Sequence, residues 1–416
     1  MTNYEASTHH HITIEREHVR SRLNLPEEFE STIPYTGCWS FRSTLSEEAK
    51  TILMNLDYNV SEDDSPLPYS DKVQEILQPW VKSNESALAF VEAALQKPVL
   101  YLPPVYYRHS DFQIPGWDRI LLDSELFFTE TLSYDFRMRS LYYLSLGNTE
   151  AAWHDVRQLY RFLELHQPNV RSFDSLSANY RLQCQANRAA ESVLLSGQWN
   201  SEDVRRAYQE VIALQNPLTD ADIQRILHGQ RLILLSICQD VSRVIAVDTP
   251  LPACIFPFGQ VMVSCNHTFN EQIKINKNSS RTRFNETYNV GVGDLFRYGL
   301  RNFWGFWIGM GRSHGWLDDI AECIDRKKTE SELASLIFAL ELYRKENENR
   351  YPAALESLCS GYIEKMPVDP FSNAHEPMKY KVNADFTGYM VYSVGRDGVD
   401  NDGQFDDIGR KWNYGE

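Results

Sequence analysis

The chain has 416 residues, 43% hydrophobic, 12% aromatic and 24% charged, a globular composition with more residues than one small core can use. Asp and Glu outnumber Lys and Arg by 57 to 41, a formal charge of −16, which disfavours phosphate backbones and anionic lipid as partners. The longest apolar runs, such as Leu232–Cys238 and Phe303–Met310, fall well short of the roughly 20 residues a membrane helix needs, so neither nucleic-acid binding nor a transmembrane segment is expected.

Residues 1–45 lack periodicity and read as an irregular arm, in which His9–His11 are a polar tail rather than a metal site. Val73, Ile76, Leu77 and Trp80, then Leu88, Val91 and Leu95, recur at helical spacing up to Pro98. Pro103, Pro104 and Pro115 mark an extended connection after it. A quasi-repeat follows: Asp155-Val156-Arg157 with Tyr160 returns as Asp203-Val204-Arg205 with Tyr208, an offset of 48 residues. Each copy follows a turn, Leu146-Gly147-Asn148 or Ser196-Gly197-Gln198, and precedes a stop, Gln167-Pro168 or Asn216-Pro217. Residues 46–246 are therefore expected to be helical hairpins, TPR-like, with a plain helical bundle as the alternative. Arg157 and Arg205 are expected to pair with acids between hairpins.

Residues 247–327 are expected to form a junction. Pro250, Pro252 and Pro257 punctuate it, and Phe296, Phe303, Trp304, Phe306, Trp307 and Trp316 suit buried packing better than contact of residues 296–316 with a membrane surface. From residue 328 a small α+β domain is expected. Thr329 has the spacing of an N-cap with Glu332 reaching back, and Leu333, Leu336, Ile337, Leu340 and Tyr343 form one apolar stripe. Met378, Tyr380 and Val382 alternate as a strand, and Gly388 precedes a second strand at 389–394, which predicts an antiparallel pair. The fold class is thus mainly α, followed by a small α+β domain with a short antiparallel sheet.

The seven cysteines are scattered and form no CxxC pair, which argues against a disulfide framework or zinc site and leaves one or two bridges open. No basic n-region or apolar h-region stands at the N-terminus. The chain reads as cytoplasmic if Met1 is the true start, and as an envelope protein if an anchor precedes it.

One constellation carries chemistry. Gly395–Asp407 holds five aspartates, Asp397, Asp400, Asp402, Asp406 and Asp407, against Arg396, a local charge of −4. Oxygen-only ligands on a flexible loop select Ca²⁺ before Mg²⁺. The spacing is not that of an EF-hand, because Gly398 would stand at its first ligand position and no Glu at its twelfth. A solvated acidic loop is the alternative. P-loop, nucleophile-elbow and HExxH motifs are missing, and Gly291-Val-Gly293 fails the dinucleotide fingerprint at Phe296. His154, Asp155 and His166 share one helix and read as solvated. Asp318-Asp319 with Glu322 read equally as an acid–base pair or as the acidic start of a helix.

The ordered set Tyr343-Arg344, Arg350-Tyr351-Pro352, Val368-Asp369-Pro370-Phe371, Lys379-Tyr380, Tyr392-Ser393-Val394-Gly395-x-Asp397-Gly398 and Asp406-Asp407-Ile408 with Trp412 resembles the C-terminal domain of major pseudopilins of type II secretion. The resemblance covers roughly 328–416 and implies a structural Ca²⁺ held by the Val394 carbonyl and Asp397, Asp406 and Asp407. The loop is about two residues longer here, so Asp400 or Asp402 can replace a ligand. The pseudopilin leader and apolar helix do not precede Thr329. The whole chain resembles planctomycete-type bacterial proteins with a helical region before such a tail, a likeness that implies no activity. The expectation is a non-enzymatic scaffold that binds a protein partner through its hairpins. A secretion or pilus accessory, and an enzyme with its site in the helical region, are the alternatives.

Overall fold

The computed structural model describes residues 38, 45–47, 49, 71–100, 105–106, 121–122, 125–233, 303–372, 374 and 376–412, with backbone alone for 71–73, 105–106, 121–122, 125–128 and 303–318. Apart from Cys38 and Leu45, the N-terminal arm lies outside that set, as do residues 247–302, the side chains of the 296–316 aromatics, and Cys238, Cys254 and Cys265. Cys38, Cys184, Cys323 and Cys359 form no disulfide with one another.

The protein is mainly helical and ends in a small antiparallel sheet, as the sequence pattern requires. Helix α1 runs Asp71–Leu95 straight through Pro79, and a two-residue pair, β1 Val105–Tyr106 with β2 Leu121–Leu122, follows. Then come α2 Glu125–Ser145, α3 Thr149–His166, α4 Phe173–Leu195 and α5 Ser201–Leu214. Helix α6 covers 220–233.

The two turns of the quasi-repeat work alike. Gly147 and Gly197 adopt φ of +71° and +77°, the left-handed conformation that closes a helix and that glycine adopts without strain. Asn148 then caps α3 through the Ala151 amide, and Asn200 caps α5 through the Asp203 amide at 3.0 Å. The tertiary roles of the copies differ. Helices α2, α3 and α4 pack on one another, but α5 packs chiefly on a helix from the far end of the chain. Arg205 reaches Glu346 of that helix at 2.6 Å, while Arg157 is exposed and makes no ion pair among the described residues.

That helix, α7, runs Phe303–Glu346, 44 residues without a break. Thr329 is therefore not an N-cap: it lies inside α7, fully buried, with its hydroxyl lacking a hydrogen-bond partner. The 327/328 division falls in mid-helix. Asp319 and Glu322 are likewise not at a helix start but in the body of α7.

Burial on both sides explains how α7 can be so long. Ile337, Phe338 and Leu342 enter the core of α3, α4 and α5, where Phe338 stacks on Tyr208 with ring centres 5.7 Å apart. Leu333, Leu336, Ala339 and Leu340 face a second core with Tyr351, Leu355, Leu358, Phe371, Met378, Tyr389, Val391, Val394 and Ile408. The sequence stripe thus divides between two cores. The sheet has order β3-β4-β5: Lys379–Val382, Tyr389–Ser393 and Ile408–Trp412, all antiparallel. The expected pair is present, and a third strand joins it in the register Val391 opposite Arg410 and Ser393 opposite Ile408. The acidic loop is the connection from β4 to β5.

Candidate functional site

The loop is fixed at its entrance by Asp369, which is 1% exposed. Its Oδ1 accepts from the Ser393 hydroxyl at 2.7 Å and the Phe371 amide at 2.9 Å, and its Oδ2 accepts from the Val394 amide at 2.9 Å. Gly395 then turns at φ +64°, where a Cβ would stand 2.1 Å from the Asp406 carbonyl oxygen. Only glycine lets the two limbs of the loop come this close.

Within the loop the five carboxylates divide into two sets. Asp397 Oδ2 and Asp406 Oδ1 both accept from the Asn401 side-chain amide at 3.4 Å, and the Val399 carbonyl accepts from it at 3.3 Å. Asp406 Oδ2 also accepts from the Asp397 amide at 3.0 Å. Asp407 Oδ2 accepts from the Asn401 and Gly403 amides at 3.1 and 2.8 Å, while its Oδ1 is buried without a hydrogen-bond partner. Partial burial pushes the Asp407 carboxyl up, as does repulsion from Asp400 and Asp406, against the pull of the two amides. Asp397, Asp406 and Asp407 thus gather around Asn401.

Asp400 and Asp402 do not. Asp400 accepts from the Tyr392 hydroxyl at 2.8 Å, and Asp402 pairs with Lys381 at 2.5 Å across the sheet. Both are engaged outside the cluster. The Val394 amide is held by Asp369. Phe405, at φ +58°, is 85% exposed on the outer side of the loop. Arg396 leaves the loop entirely and pairs with Glu322 of α7 at 2.6 Å.

Among the described residues, the trio that brings three ligand atoms within 4.8 Å of one another lies elsewhere, at Glu92, His154 and Asp155. A metal there would have to evict Arg139. That guanidinium is 6% exposed and donates to both Asp155 oxygens and to Glu92, already supplying a cation where a metal would sit. The trio is an ion-pair network joining α1, α2 and α3. His154 is nearly half exposed, but Asp155 is fully buried, contrary to the solvated helix face expected for it.

His166 is also buried rather than solvated. Its Nδ1 lies 3.0 Å from the Asn179 side-chain amide of α4. Burial pushes its pKa down from 6.5 to about 4, helped by the Lys327 ammonium of α7. The folded chain then binds fewer protons than the unfolded chain between those values. The stability His166 confers is complete above pH 6.5 and is lost as pH falls towards 4, a change of about 3 kcal/mol. Urea titrations of wild type and His166→Leu should diverge over this range, the wild type losing more; parallel pH dependences would contradict it.

Comparison of the chain with protein-family models, curated proteins and solved structures returns no match. Among the described residues, no helix is long and apolar enough to cross a membrane. Asn401 and Asp369 are the residues of the loop region whose part a charge count misses. Asp369 had a signal in the Val368-Asp369-Pro370-Phe371 motif; Asn401 had none beyond its place between two aspartates.

Proposed function

We propose that the chain is a non-enzymatic scaffold in which α7 carries helical hairpins on one side and, on the other, a small α+β unit closed by Ca²⁺ at the 394–407 loop. The gathering of Asp397 and Asp406 around the Asn401 side chain, with Asp407 on the Asn401 backbone amide, carries this reading. The Asn401 side-chain nitrogen sits among oxygens of Asp397, Val399 and Asp406, where a cation would be coordinated. The two ends of an asparagine amide exchange by a simple flip, so Asn401 can offer its oxygen instead. The Asp407 Oδ1, buried without a partner, is a further oxygen that an ion would satisfy. All of these donors are hard oxygens on a glycine-containing loop, which suits Ca²⁺. Asp397, Asp406 and Asp407 would hold the ion, with the Val394 carbonyl as the resemblance implies. Asp400 and Asp402 would not.

The ion's part in this reading is structural: it neutralises repelling carboxylates and ties β4 to β5. The order of a long helix, a three-stranded antiparallel sheet and an acidic loop before the last strand supports a second reading, as an accessory of a pseudopilin-like secretion assembly.

Melting curves with calcium and with chelator test the site. Saturating Ca²⁺ at about 100 times Kd should stabilise the protein by about 2.7 kcal/mol. Asp397→Ala should abolish the shift and Asp402→Ala should keep it. Superimposable wild-type curves with and without calcium would sink the calcium assignment.

A further inference from the structure

On α4, Gln185, Arg188 and Glu191 follow one another at intervals of three, so Arg188 lies on the helix surface between the other two. Gln185 faces α2, where its Oε1 accepts from Arg137 Nη1 at 3.0 Å. Glu191 faces β5, where both its oxygens accept from Arg410 Nε at 2.9 and 3.0 Å. The Glu330 carboxylate of α7 is engaged too, by Arg410 Nη2 at 2.7 Å and by the Asn187 amide at 3.4 Å. Arg188 is half-buried at this seam, and its side chain makes no hydrogen bond or ion pair with the described residues. Burial pushes its pKa below the ordinary arginine value, and the charges of Arg410 and Arg137 add to the shift, against the pull of Cys184 and Glu330. In a chain of net charge −16, a guanidinium without a bonded carboxylate, between two others, is out of keeping with its surroundings.

We propose that Arg188, flanked by Arg137 and Arg410, is the centre of an anion subsite at the seam of α2, α4 and β5, and that it takes a phosphate-class oxyanion. Guanidinium forks match tetrahedral oxyanions in shape and charge. Half-burial leaves Arg188 reachable from solvent while lowering the local dielectric, which strengthens the attraction.

The test uses the full chain in calcium-free buffer, with melting followed against inorganic phosphate, sodium chloride of equal ionic strength, and acetate. Phosphate should raise the melting temperature above the chloride curve and acetate should not. Arg188→Gln should lose the phosphate shift, and without phosphate it should melt at or above wild type because repulsion is relieved. A phosphate effect no larger than that of chloride, or one that persists in Arg188→Gln, would overturn the subsite. An Arg188→Gln protein that melts lower without phosphate would also overturn it, by showing that the fold already compensates Arg188. Equal shifts with acetate would overturn the phosphate class.

Discussion

Arg410→Met should destabilise the protein by about 3–5 kcal/mol, because it strands two buried carboxylates at once. The Arg410 guanidinium, on β5, is shared by Glu191 of α4 and Glu330 of α7, whose side chains are 12% and 2% exposed. Burial pushes the Glu191 carboxyl up even with Arg410 in place, and without it the charge would stand in the interior with the Glu330 carboxylate nearby. Met fills much of the same volume, so the loss measures charge rather than a cavity. The triple variant Arg410→Met, Glu191→Leu, Glu330→Leu should recover most of it, because a matched apolar replacement of a buried ion network is often neutral. Guanidinium denaturation followed by circular dichroism gives both numbers. A single variant within about 1 kcal/mol of wild type would show that the two carboxylates find solvent or other partners when Arg410 is gone.

This network joins the sheet to the helices. The sheet is attached to the helices through α7, which serves both cores, and through Arg410, whose partners lie 219 and 80 residues away in sequence. A reader of the sequence has no access to such pairings. What was legible is local: Gly147 and Gly197 as helix ends, the alternation of Met378, Tyr380 and Val382, and the stripe on α7. Each of these is set by residues within a turn or a strand of one another. Thr329-x-x-Glu332 had the same local look and misled, because packing between the two cores buried that segment and carried the helix through it. The third strand escaped notice since Ile408-Gly409-Arg410-Lys411-Trp412 scarcely alternates. Its Gly409 is packed against β4, where a Cβ would meet the Tyr392 side chain at 2.7 Å.

The acidic loop was half legible. Its charge density is a property of composition, and five aspartates in thirteen residues stand out against any background. Which of them face inwards depends on tertiary neighbours: Tyr392 and Lys381 on the sheet draw Asp400 and Asp402 outwards, and Gly395 brings Asp406 back towards Asp397. The reverse error occurred on α3. Asp155 and Asp203 stand at matching places in the quasi-repeat, yet Asp203 closes a capping box on Asn200 and Asp155 is a buried counter-ion. Sequence periodicity places a residue on a helix, while only the packing of α1 and α2 decides what that face meets.

Arg139→Met tests that last distinction and should also cost about 3–5 kcal/mol near neutral pH. The Arg139 guanidinium bonds both oxygens of Asp155 and reaches Glu92, so one side chain ties α2 to α3 and α1. Burial already pushes the Asp155 carboxyl up to about 6, against the pull of Arg139. Remove the guanidinium, and burial acts unopposed by its strongest partner, so the pKa must rise further. A carboxyl whose folded pKa lies above its unfolded value destabilises the fold when ionised, and that penalty fades as pH falls through the folded pKa. The variant's deficit should therefore be greatest above pH 7 and shrink towards pH 5. Asp155→Asn in the same background should remove most of the pH dependence, since the amide carries no charge to strand. Urea midpoints for wild type and the two variants at pH 5, 6, 7 and 8 give the comparison. A deficit that stays constant with pH would mean that Asp155 is not the group left uncompensated, and the ion-pair account of the Glu92, His154 and Asp155 cluster would fall with it.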